Sequence, residues 1–409
     1  MLLGTLDTKG QEYAFVQELL QDRGFEVLLI DAGVLGEPRI TPDITREAVA
    51  AAAGHDIAAL AATGDRGAAV TAMAAGAAEI VGNLYNDGQL DAIMGLGGSG
   101  GSAVIAAAMR ALPIGVPKLL VSTVAAGDTR PYVDTADIML LPSVVDISGI
   151  NPISDRILRN AAAAIAGMAA EFAFYEPEEP DRLLVAATMF GVTTPCVTHL
   201  RELLDEWGYE VLVFHATGTG GRAMERLLND GYLTGVIDVT TTELADELVG
   251  GVLSAGPQRL EAASALGLPQ VVSLGALDMV NFGPRETVPE RFADRQFYVH
   301  NPTVTLMRTT PQENAELGAI IARKLNAATG PLALFIPLGG VSAIAGEGQV
   351  FHDPAADAAL LGALREHLSP EVEVHELEMH INDPDFAEAM AERFDELYQE
   401  WLGRKGNQA

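Results

Sequence analysis

The stretch "IMGLGGSGGSAVIAAAMR", residues 93–110, places five glycines within seven residues, between an apolar run and a helical pattern. A strand, a glycine-rich turn and a helix form the repeating unit of parallel α/β sheets. Gly95, Gly97 and Gly100 fit the dinucleotide pattern G-x-G-x-x-G, and the P-loop pattern fits as well, except that Gly101 stands at the lysine position. Because backbone N–H groups at a helix N-terminus bind anions, the stretch predicts an α/β fold with an anion site.

Composition and charge restrict the class of protein. The chain has 409 residues, of which 49% are hydrophobic, enough for large cores in two or three domains. The net charge of −31 argues against binding to nucleic acid or to an anionic membrane surface, since both need clustered Lys and Arg. The sequence shows neither a basic leader nor a clean apolar span of roughly 20 residues, which predicts a cytoplasmic protein.

Apolar runs alternate with helical patterns such as residues 11–24. After a first strand near Leu2, the predicted strands are residues 26–33, 56–64, 91–98 and 118–128. Continuous apolar strands separated by helices indicate a parallel sheet that is covered on both faces. Ligands bind such sheets at the carboxyl ends of the strands, where the glycine-rich turns lie.

A second series of the same kind begins near residue 182. Both series read strand, polar turn, a helix that ends in Gly24 or Gly208, an aromatic residue and then "EVL". The sequence therefore predicts an α/β protein with two doubly wound, Rossmann-like domains, residues 1–175 and 182–409, with a cleft between them.

Helix and linker signals lie at the ends of the predicted domains. Asn151 and Pro152 fit the N-cap and first position of a helix that runs to about Glu171, and the polar "EPEEPD" at 176–181 fits a linker. Asp383 begins a final amphipathic helix. Because its apolar face needs a partner, we expect this helix to pack back across the domain junction.

Polar residues of the first domain gather at the predicted strand ends. Lys9 and Arg66 can neutralise phosphates, and Asp7 or Asp65 can hold Mg²⁺ or a ribose hydroxyl. The next strand ends in "ST" where the Rossmann pattern needs an acidic residue, which argues against a nicotinamide dinucleotide. The residues assigned to nucleotide binding are Asp7, Thr8, Lys9, Gly64, Asp65, Arg66, Gly97, Gly98, Ser99, Gly100, Gly101, Ser122 and Thr123.

These residues also have structural alternatives. The glycine turn fits close packing against a neighbouring strand, and single charged residues fit helix caps or surface ion pairs. If the turn binds phosphate, a side chain at Gly98 or Gly100 should collide with the ligand or forbid a positive φ. Because Gly101 replaces the P-loop lysine, the cation must come from Lys9 or Arg66.

The second domain has its own glycine turn, "FHATGTGGRAMERL" at 214–227. Arg222 opens the following helix and is predicted to bind an anionic group of a substrate, and His215 at the strand end fits a general base. A structural role is open for every residue of this set. The predicted substrate-binding residues are Gly218, Gly220, Gly221, Arg222, Thr241, Asn301 and Arg308, and the predicted catalytic residues are His215, Glu243, Asp278 and His300.

Other chemistries lack a supporting pattern in the sequence. The pattern G-x-S-x-G occurs only as "GGSGG" at 97–101, within the turn already assigned to anion binding, and the single Cys196 excludes an intramolecular disulfide framework. A buried structural thiol fits Cys196 better than a nucleophile at a helix start. His215, His300 and Asp278 have no tight metal-ligand spacing, so no protein-bound metal site is predicted.

Seven stretches of the chain resemble one known family. They are "GTLDTKG", "GLGGSGG", "LPIGVPKLLVSTVAAGDTRPYV", "FGVTTPCV", "FHATGTGGRAME", "DVTTTELADEL" and "HNPTVTLMRTT". From residue 2 to about residue 395, the sequence resembles the family related to the tomato mosaic virus resistance protein. The resemblance implies two α/β domains, ATP binding by the N-terminal one and frequent dimers. In the plant protein this region inhibits viral replication proteins and a TIM-barrel domain follows it, so the antiviral role is not expected here.

The expected function is that of an ATP-binding protein, with Mg²⁺, which acts as an enzyme on a small polar or acidic metabolite in the cleft. The alternative is a non-catalytic, nucleotide-responsive regulatory or binding protein. A third option is a metal-free isomerase or hydrolase that uses no nucleotide. The Ala-rich segment 48–81 allows close helix contact, so a homodimer or larger assembly is expected.

Overall fold

Two compact units make up the chain in the computed structural model, one on each side of residues 176–181. The structure describes residues 1–175 and 182–406, and the predicted linker at 176–181 lies outside the described residues. The elements of the N-terminal unit are, in chain order, β1 (Leu2–Gly4), α1 (Leu6–Gln21), β2 (Leu29–Asp31), α2 (Arg46–Ala52), α3 (Ile57–Thr63), α4 (Arg66–Asn86), β3 (Ile93–Gly97), α5 (Ser99–Arg110), β4 (Lys118–Ser122), α6 (Arg130–Val133), β5 (Met139–Pro142) and α7 (Pro152–Phe174).

Five parallel strands form the N-terminal sheet in the order β2-β1-β3-β4-β5. Successive residues of a strand point to opposite faces. Leu3 and Ile93 join a buried cluster with α2, α4 and α5, whereas Leu2 and Met94 join a cluster with α1 and α7. Helices therefore cover both faces, which confirms the predicted doubly wound fold. The strand order reverses between β1 and β3, which makes their carboxyl ends the topological switch point.

The prediction of a strand at residues 56–64 is wrong, because this segment forms helix α3. Asp56 caps the helix by accepting a hydrogen bond of 2.8 Å from a backbone N–H three residues on. Alanine, which makes up much of the segment, favours a helix. Asp65 caps α4 through a similar bond of 3.0 Å. Asp65 and Arg66 are therefore positioned by the start of a helix and not by the end of a strand.

Helices α4 and α7 are long and apolar enough to cross a membrane, judged by length and composition alone. The sequence analysis did not identify them as such spans. Met73 and Val81 of α4, and Leu158 and Ile165 of α7, are buried in the core of the N-terminal unit. Because the core helix of a soluble protein passes the same test, length and composition do not distinguish a membrane span from a buried core helix.

The C-terminal unit contains two sheets. Short 3₁₀ turns at Arg285–Thr287 and Glu290–Phe292 follow its fifth strand. Its other elements are, in chain order, β6 (Leu183–Met189), α8 (Thr194–Glu206), β7 (Tyr209–His215), α9 (Thr219–Asn229), β8 (Val236–Thr240), α10 (Thr242–Val249), α11 (Ala262–Leu266), β9 (Gln270–Gly275), β10 (Met279–Phe282), β11 (Phe297–Asn301), β12 (Val304–Arg308), α12 (Pro311–Leu325), β13 (Leu332–Pro337), α13 (Pro354–His367), β14 (Glu373–Leu377) and α14 (Pro384–Gly406).

The main sheet of this unit has six parallel strands in the order β14-β13-β9-β8-β6-β7. Numbered from its own first strand, it reads 2-1-3-4-5-6, and the N-terminal sheet reads 2-1-3-4-5. The two units therefore share one plan, as the sequence echo predicts. An antiparallel sheet, β10-β12-β11, is inserted after β9. Its residues Met279 and Leu306 pack on Val192 and Ala276, which follow β6 and β9, so the insert covers the carboxyl ends of those strands.

The final helix, α14, packs on the sheet of its own unit. Phe386, Met390, Phe394 and Tyr398 are fully buried in a cluster with residues of β6, β8, β9, β13 and α8. The sequence analysis expected this apolar face to pack across the domain junction. The structure instead buries it within the C-terminal unit, because the adjacent sheet supplies the apolar partner that the face needs.

Candidate functional site

A cavity of about 650 Å³ lies at the carboxyl ends of β1 and β3 in the N-terminal unit. The turns after β1, β2, β3 and β4 line it together with α3 and α4. Open α/β sheets bind their ligands at this switch point. The predicted nucleotide-binding residues that line the cavity are Asp7, Thr8, Lys9, Gly64, Asp65, Arg66, Gly98, Ser99, Gly100, Gly101 and Thr123.

The remaining glycines of the turn and Ser122 serve packing. A Cβ on Gly95 would lie 2.5 Å from Ile105 Cγ2, and one on Gly97 would lie 2.8 Å from the backbone nitrogen of Ser102. The Ser122 hydroxyl is 2.7 Å from that of Ser102, and both side chains are buried. These contacts hold β3, β4 and the start of α5 together. Gly95 and Gly97 therefore serve close packing, whereas Gly98, Gly100 and Gly101 line the cavity.

The start of α5 brings open backbone N–H groups to the cavity. The Ser102 N–H makes a helical bond of 2.8 Å to the carbonyl of Gly98, so the amides of Ser99, Gly100 and Gly101 precede the helical ladder. Gly98 is the N-cap residue and has no side chain with which to satisfy them. The 12-residue helix adds the positive end of its dipole at the same point. This arrangement favours a bound anion.

The prediction that Gly98 or Gly100 needs a positive φ is wrong. Gly98 is extended, with φ −81° and ψ −169°, and Gly100 belongs to helix α5. A Cβ on Gly98 would come no closer than 3.7 Å to Thr123 Oγ1, whereas one on Gly100 would lie 3.1 Å from Arg66 Nη2. Glycine at these positions thus keeps space open beside the helix start and allows the Arg66 guanidinium to approach the backbone.

Arg66 and Lys9 bring positive charge to the cavity. Arg66 is exposed, and within residues 1–175 and 182–406 its side chain forms no hydrogen bond or ion pair. The Lys9 ammonium donates one hydrogen bond, to the carbonyl of Ile147. An ammonium group has three protons to donate, so this bond anchors Lys9 without exhausting it. Both cations that the sequence proposed in place of the P-loop lysine therefore line the cavity.

Asp7 and Asp65 are the acidic residues that line this cavity, and Asp65 is engaged as the cap of α4. The Oδ2 atom of Asp7 accepts hydrogen bonds of 3.2 Å from the N–H groups of Leu35 and Gly36, which fixes the turn after β2. Its Oδ1 is buried and, in the described part of the chain, has no hydrogen-bond partner. A buried carboxylate oxygen without a donor is costly, and a cation or a hydroxyl that donates a hydrogen bond to this carboxylate would offset that cost.

Sequence reasoning missed the apolar wall of the cavity. Ala32, Leu60, Met73 and Val104 belong to one buried cluster, and Val34 packs against it. The turn "DAGVLG" directly after β2 was a signal for the first part of this wall, because it lies at the same sheet edge as the glycine turn. Leu60 and Ala61 of α3 were missed because residues 56–64 were predicted to form a strand.

A second cavity, of about 470 Å³, lies at the opposite end of the N-terminal sheet. Met1, Leu28 and Ala92, which precede β1, β2 and β3, are among its lining residues. Ligands of open α/β sheets bind beyond the carboxyl ends of the strands and not beyond the amino ends. The switch-point cavity is therefore the candidate site of this unit.

The glycine turn of the C-terminal unit binds a carboxylate of the protein itself. Glu243 Oε1 accepts hydrogen bonds from the N–H groups of Gly218, at 2.6 Å, and Gly221, at 3.0 Å. Its Oε2 accepts a bond of 2.7 Å from Arg259 Nε. Gly220 contributes close packing, since a Cβ there would overlap the carbonyl of the preceding strand end. The prediction of a substrate anion at this turn is corrected, because Glu243 already occupies the donors.

Arg259, which sequence reasoning missed, lies among two buried carboxylates, Asp238 and Glu243, and the partly buried Glu225. Its guanidinium pairs with both oxygens of Asp238 and with Glu243, and Glu225 lies 3.5 Å away. Burial alone would lower the pKa of Arg259, but the charges of Asp238 and Glu243 raise it well above its usual value. Because a general acid or base must reach its substrate, the full burial of Glu243 removes it from the candidate catalytic groups.

Three side chains predicted to bind a substrate bond within the protein instead. Arg222 Nη1 donates to the carbonyl of Ser254 at 3.0 Å. Arg308 is 4% exposed, and its Nε donates to the carbonyl of Phe351 at 2.8 Å. Thr241 is fully buried. These contacts give all three residues structural partners inside the C-terminal unit.

Two further carboxylates of this unit are buried. Asp278 accepts a hydrogen bond of 2.8 Å from Ser342 Oγ, and burial raises the pKa of Asp278 to about 6. Asp246 accepts bonds of 3.0 and 2.6 Å from the backbone and side chain of Asn281, and burial raises the pKa of Asp246 to about 7. Asp278 is 1% exposed. Like Glu243, it is therefore out of reach of a ligand.

The remaining candidates lie at exposed strand ends. His215 ends β7, an edge strand of the main sheet, and His300 and Asn301 end β11, an edge strand of the insert. Asn301 Oδ1 accepts a hydrogen bond of 2.8 Å from the N–H of Thr303 and so shapes the hairpin tip. Burial raises the pKa of the Cys196 thiol to about 12, which fits a structural thiol. Among the described residues, no three His, Cys, Asp or Glu side chains form a group that could hold a metal ion.

Fold and site together define a class of protein. The chain has two doubly wound, Rossmann-like α/β domains of one plan, and the N-terminal domain has a cavity with cationic and apolar walls at its switch point. The chain belongs to the UPF0261 family. Residues 1–173 match the N-terminal domain, and residues 182–398 the C-terminal domain, of the "Uncharacterised protein family (UPF0261)".

Similar proteins occur in bacteria and in a plant. A UPF0261 protein of Clostridium tetani is 53% identical over 395 residues, which are 96% of this chain and 97% of that protein. The ToMV resistance protein Tm-1(GCR237) of Solanum lycopersicum is 47% identical over 338 residues, which are 81% of this chain but 45% of the tomato protein. The resemblance to the family of the tomato protein is thus confirmed. A Streptomyces glycosyltransferase structure aligns at a TM-score of 0.15 with 12% identity, too low to support any inference.

Proposed function

We propose that the N-terminal domain binds an adenine nucleotide, ATP together with Mg²⁺, in the switch-point cavity. One observation carries the proposal: the open amides at the start of α5 and the unengaged guanidinium of Arg66 meet in one cavity. A triphosphate is the common metabolite with enough negative charge to satisfy amides, guanidinium and ammonium together. The cavity volume of about 650 Å³ is in the range of small-molecule sites.

Each part of the nucleotide has a fitting wall. The phosphates fit the amides of Ser99, Gly100 and Gly101, with Arg66 and Lys9 as counter-charges. The base fits the aliphatic wall that contains Val34, Leu60, Met73 and Val104. The carboxylate of Asp7, which lines the cavity, is the type of ligand that Mg²⁺ prefers, since Mg²⁺ is held by one or two carboxylates together with phosphates.

The burial of Glu243 and Asp278 favours the non-catalytic alternative over an enzyme. Both predicted catalytic carboxylates point into the C-terminal unit and have internal partners. We therefore propose a nucleotide-responsive binding or regulatory protein. Release of inorganic phosphate from Mg-ATP by the purified protein, at a rate well above the spontaneous one, would favour the enzyme instead.

Calorimetry with Mg-ATP tests the binding proposal. The wild-type protein should bind, and Arg66→Ala should bind about tenfold or more weakly, because a charge-assisted contact is worth about 1.5–3 kcal/mol. Arg156→Ala is the matched control, since Arg156 is an exposed arginine of α7 and does not line the cavity. The absence of heat with wild-type protein and Mg-ATP, at protein concentrations that detect millimolar binding, would refute the proposal.

A further inference from the structure

We infer that the switch-point cavity selects the triphosphate and not the base, so that GTP and CTP bind about as well as ATP. This inference rests on the proposed function and concerns its specificity. Base selection needs hydrogen-bond groups at the edge of the ring, since an aliphatic pocket discriminates weakly between rings of similar shape. Selection between bases therefore depends on such groups on the wall where the base would lie.

The side chains of this wall offer no polar atom. All nine are aliphatic or thioether groups, and Met73, Val104 and Leu60 belong to the same buried cluster as Ala32. The polar side chains of the cavity instead come from Thr5 and the first turn of α1, the starts of α4 and α5, and the residue after β4. The polar group of lining residues is Thr5, Asp7, Thr8, Lys9, Asp65, Arg66, Ser99 and Thr123, and the apolar wall is Ala32, Val34, Leu35, Leu60, Ala61, Ala69, Val70, Met73 and Val104.

Four of the five backbone donors at residues 32–36, beside the apolar wall, are engaged. The N–H of Ala32 bonds to the carbonyl of Gly4 at 2.8 Å, and that of Gly33 bonds to Asp31 Oδ1 at 2.8 Å. The N–H groups of residues 35 and 36 bond to Asp7. An adenine ring is commonly distinguished from guanine by a donor to its N1 atom, because guanine carries a proton there. With four of the five donors engaged, only the N–H of Val34 is left in this turn to make that distinction, among the residues that the structure describes.

Two consequences follow for affinity. The base contributes through the apolar area that it buries, which is similar for the common rings. The phosphates contribute through amides and cations, which are the same for every nucleoside triphosphate. We therefore expect dissociation constants of Mg-ATP, Mg-GTP and Mg-CTP to lie within about tenfold of one another. Inorganic tripolyphosphate should displace ATP, because it retains the part of the ligand that the site recognises.

One variant separates the base wall from the phosphate contacts. Val34 is partly buried and packs on the cluster, so Val34→Ala removes apolar area from the wall without opening the core. It should weaken ATP, GTP and CTP by a common factor of about three to ten. It should leave the affinity for tripolyphosphate within about twofold, since that ligand has no ring to contact this wall.

Competition calorimetry with the full-length protein decides the matter. Similar affinities for the three nucleotides and displacement by tripolyphosphate are the expected result. A preference for ATP over GTP above roughly thirtyfold, or a failure of tripolyphosphate to displace ATP, would overturn this inference while leaving ATP binding in place. Binding of none of the three nucleotides would instead overturn the proposed function.

Discussion

Replacing Gly98 with valine tests whether the start of α5 holds phosphate. The backbone of Gly98 is extended, a conformation that β-branched residues adopt readily. The nearest atom to a Cβ at this position is Thr123 Oγ1, at 3.7 Å, which is ordinary contact distance. The side chain therefore fits the folded protein and occupies the space next to the open amides. We expect the free energy of unfolding to change by no more than about 1 kcal/mol, because valine is only a poorer N-cap than glycine.

The effect on ATP should be much larger. A valine side chain beside the amides of Ser99, Gly100 and Gly101 would displace two or three charge-assisted hydrogen bonds, each worth about 1.5–3 kcal/mol. Even the lower end of that range, about 3 kcal/mol, corresponds to more than a hundredfold loss of affinity. Calorimetry with Mg-ATP measures this loss, and circular dichroism with urea unfolding measures the stability of the same samples.

Gly95→Ala is the matched control for this substitution. Gly95 is in the same turn, but its Cβ would lie 2.5 Å from Ile105 Cγ2 inside the core. Overpacking of this kind costs about 1–3 kcal/mol of stability, so this variant should lose stability and retain nucleotide affinity in its folded fraction. If Gly98→Val folds and binds ATP as the wild type does, the glycine turn does not hold phosphate and the reasoning fails.

Three further results are expected. Arg66→Ala should weaken ATP more than adenosine, because only ATP carries phosphates, and an equal loss for both ligands in calorimetry would contradict the assignment. Burial raises the pKa of Asp246 to about 7, so the folded protein retains a proton that the unfolded chain releases, and wild-type stability falls as pH rises towards 7. Asp246→Asn removes this dependence and should gain about 2–3 kcal/mol over wild type between about pH 5 and pH 8 in urea unfolding; equal pH profiles would refute the shift. Phe394→Ala should cost about 3–5 kcal/mol of unfolding free energy, since Phe394 of α14 is fully buried against the main sheet, and a loss below about 1 kcal/mol would contradict the packing.

Much of the fold could be predicted from strand and turn patterns, because buried parallel strands are continuous apolar runs with glycine at their ends. The exception at residues 56–64 has a physical cause. A short apolar run is compatible with a strand or a helix, and the decision here rests on the Asp56 cap and on alanine, which favours helix. In the inserted sheet β11 and β12 form a local hairpin, but β10 pairs with β12 between residues that are distant in sequence, and local patterns do not encode that pairing.

The candidate site divides in the same way. The residues predicted for the N-terminal domain line one cavity because they directly follow strands or start helices at one sheet edge. In the C-terminal domain the same reasoning located the glycine turn but not Glu243 inside it. Glu243 bonds to Gly221, and Arg259 bonds to Glu243, each across more than fifteen residues of sequence. Local sequence patterns do not indicate such contacts.

The carboxylate of Glu243 acts as a ligand that is tethered to its own chain, and it therefore determines what the glycine turn after β7 can bind. The glycine turn after β7, the second strand of its unit, is filled by this carboxylate, whereas the amides at the start of α5 follow the third strand of the other unit and are open. Glu243→Gly would remove this carboxylate. Two amide donors and the Arg259 guanidinium would then form a binding site for a small carboxylic acid. Acetate should then rescue the melting temperature of that variant more than chloride does at equal ionic strength. Substitution of the single residue Glu243 would thus convert a turn that binds its own chain into one that can bind a small carboxylic acid.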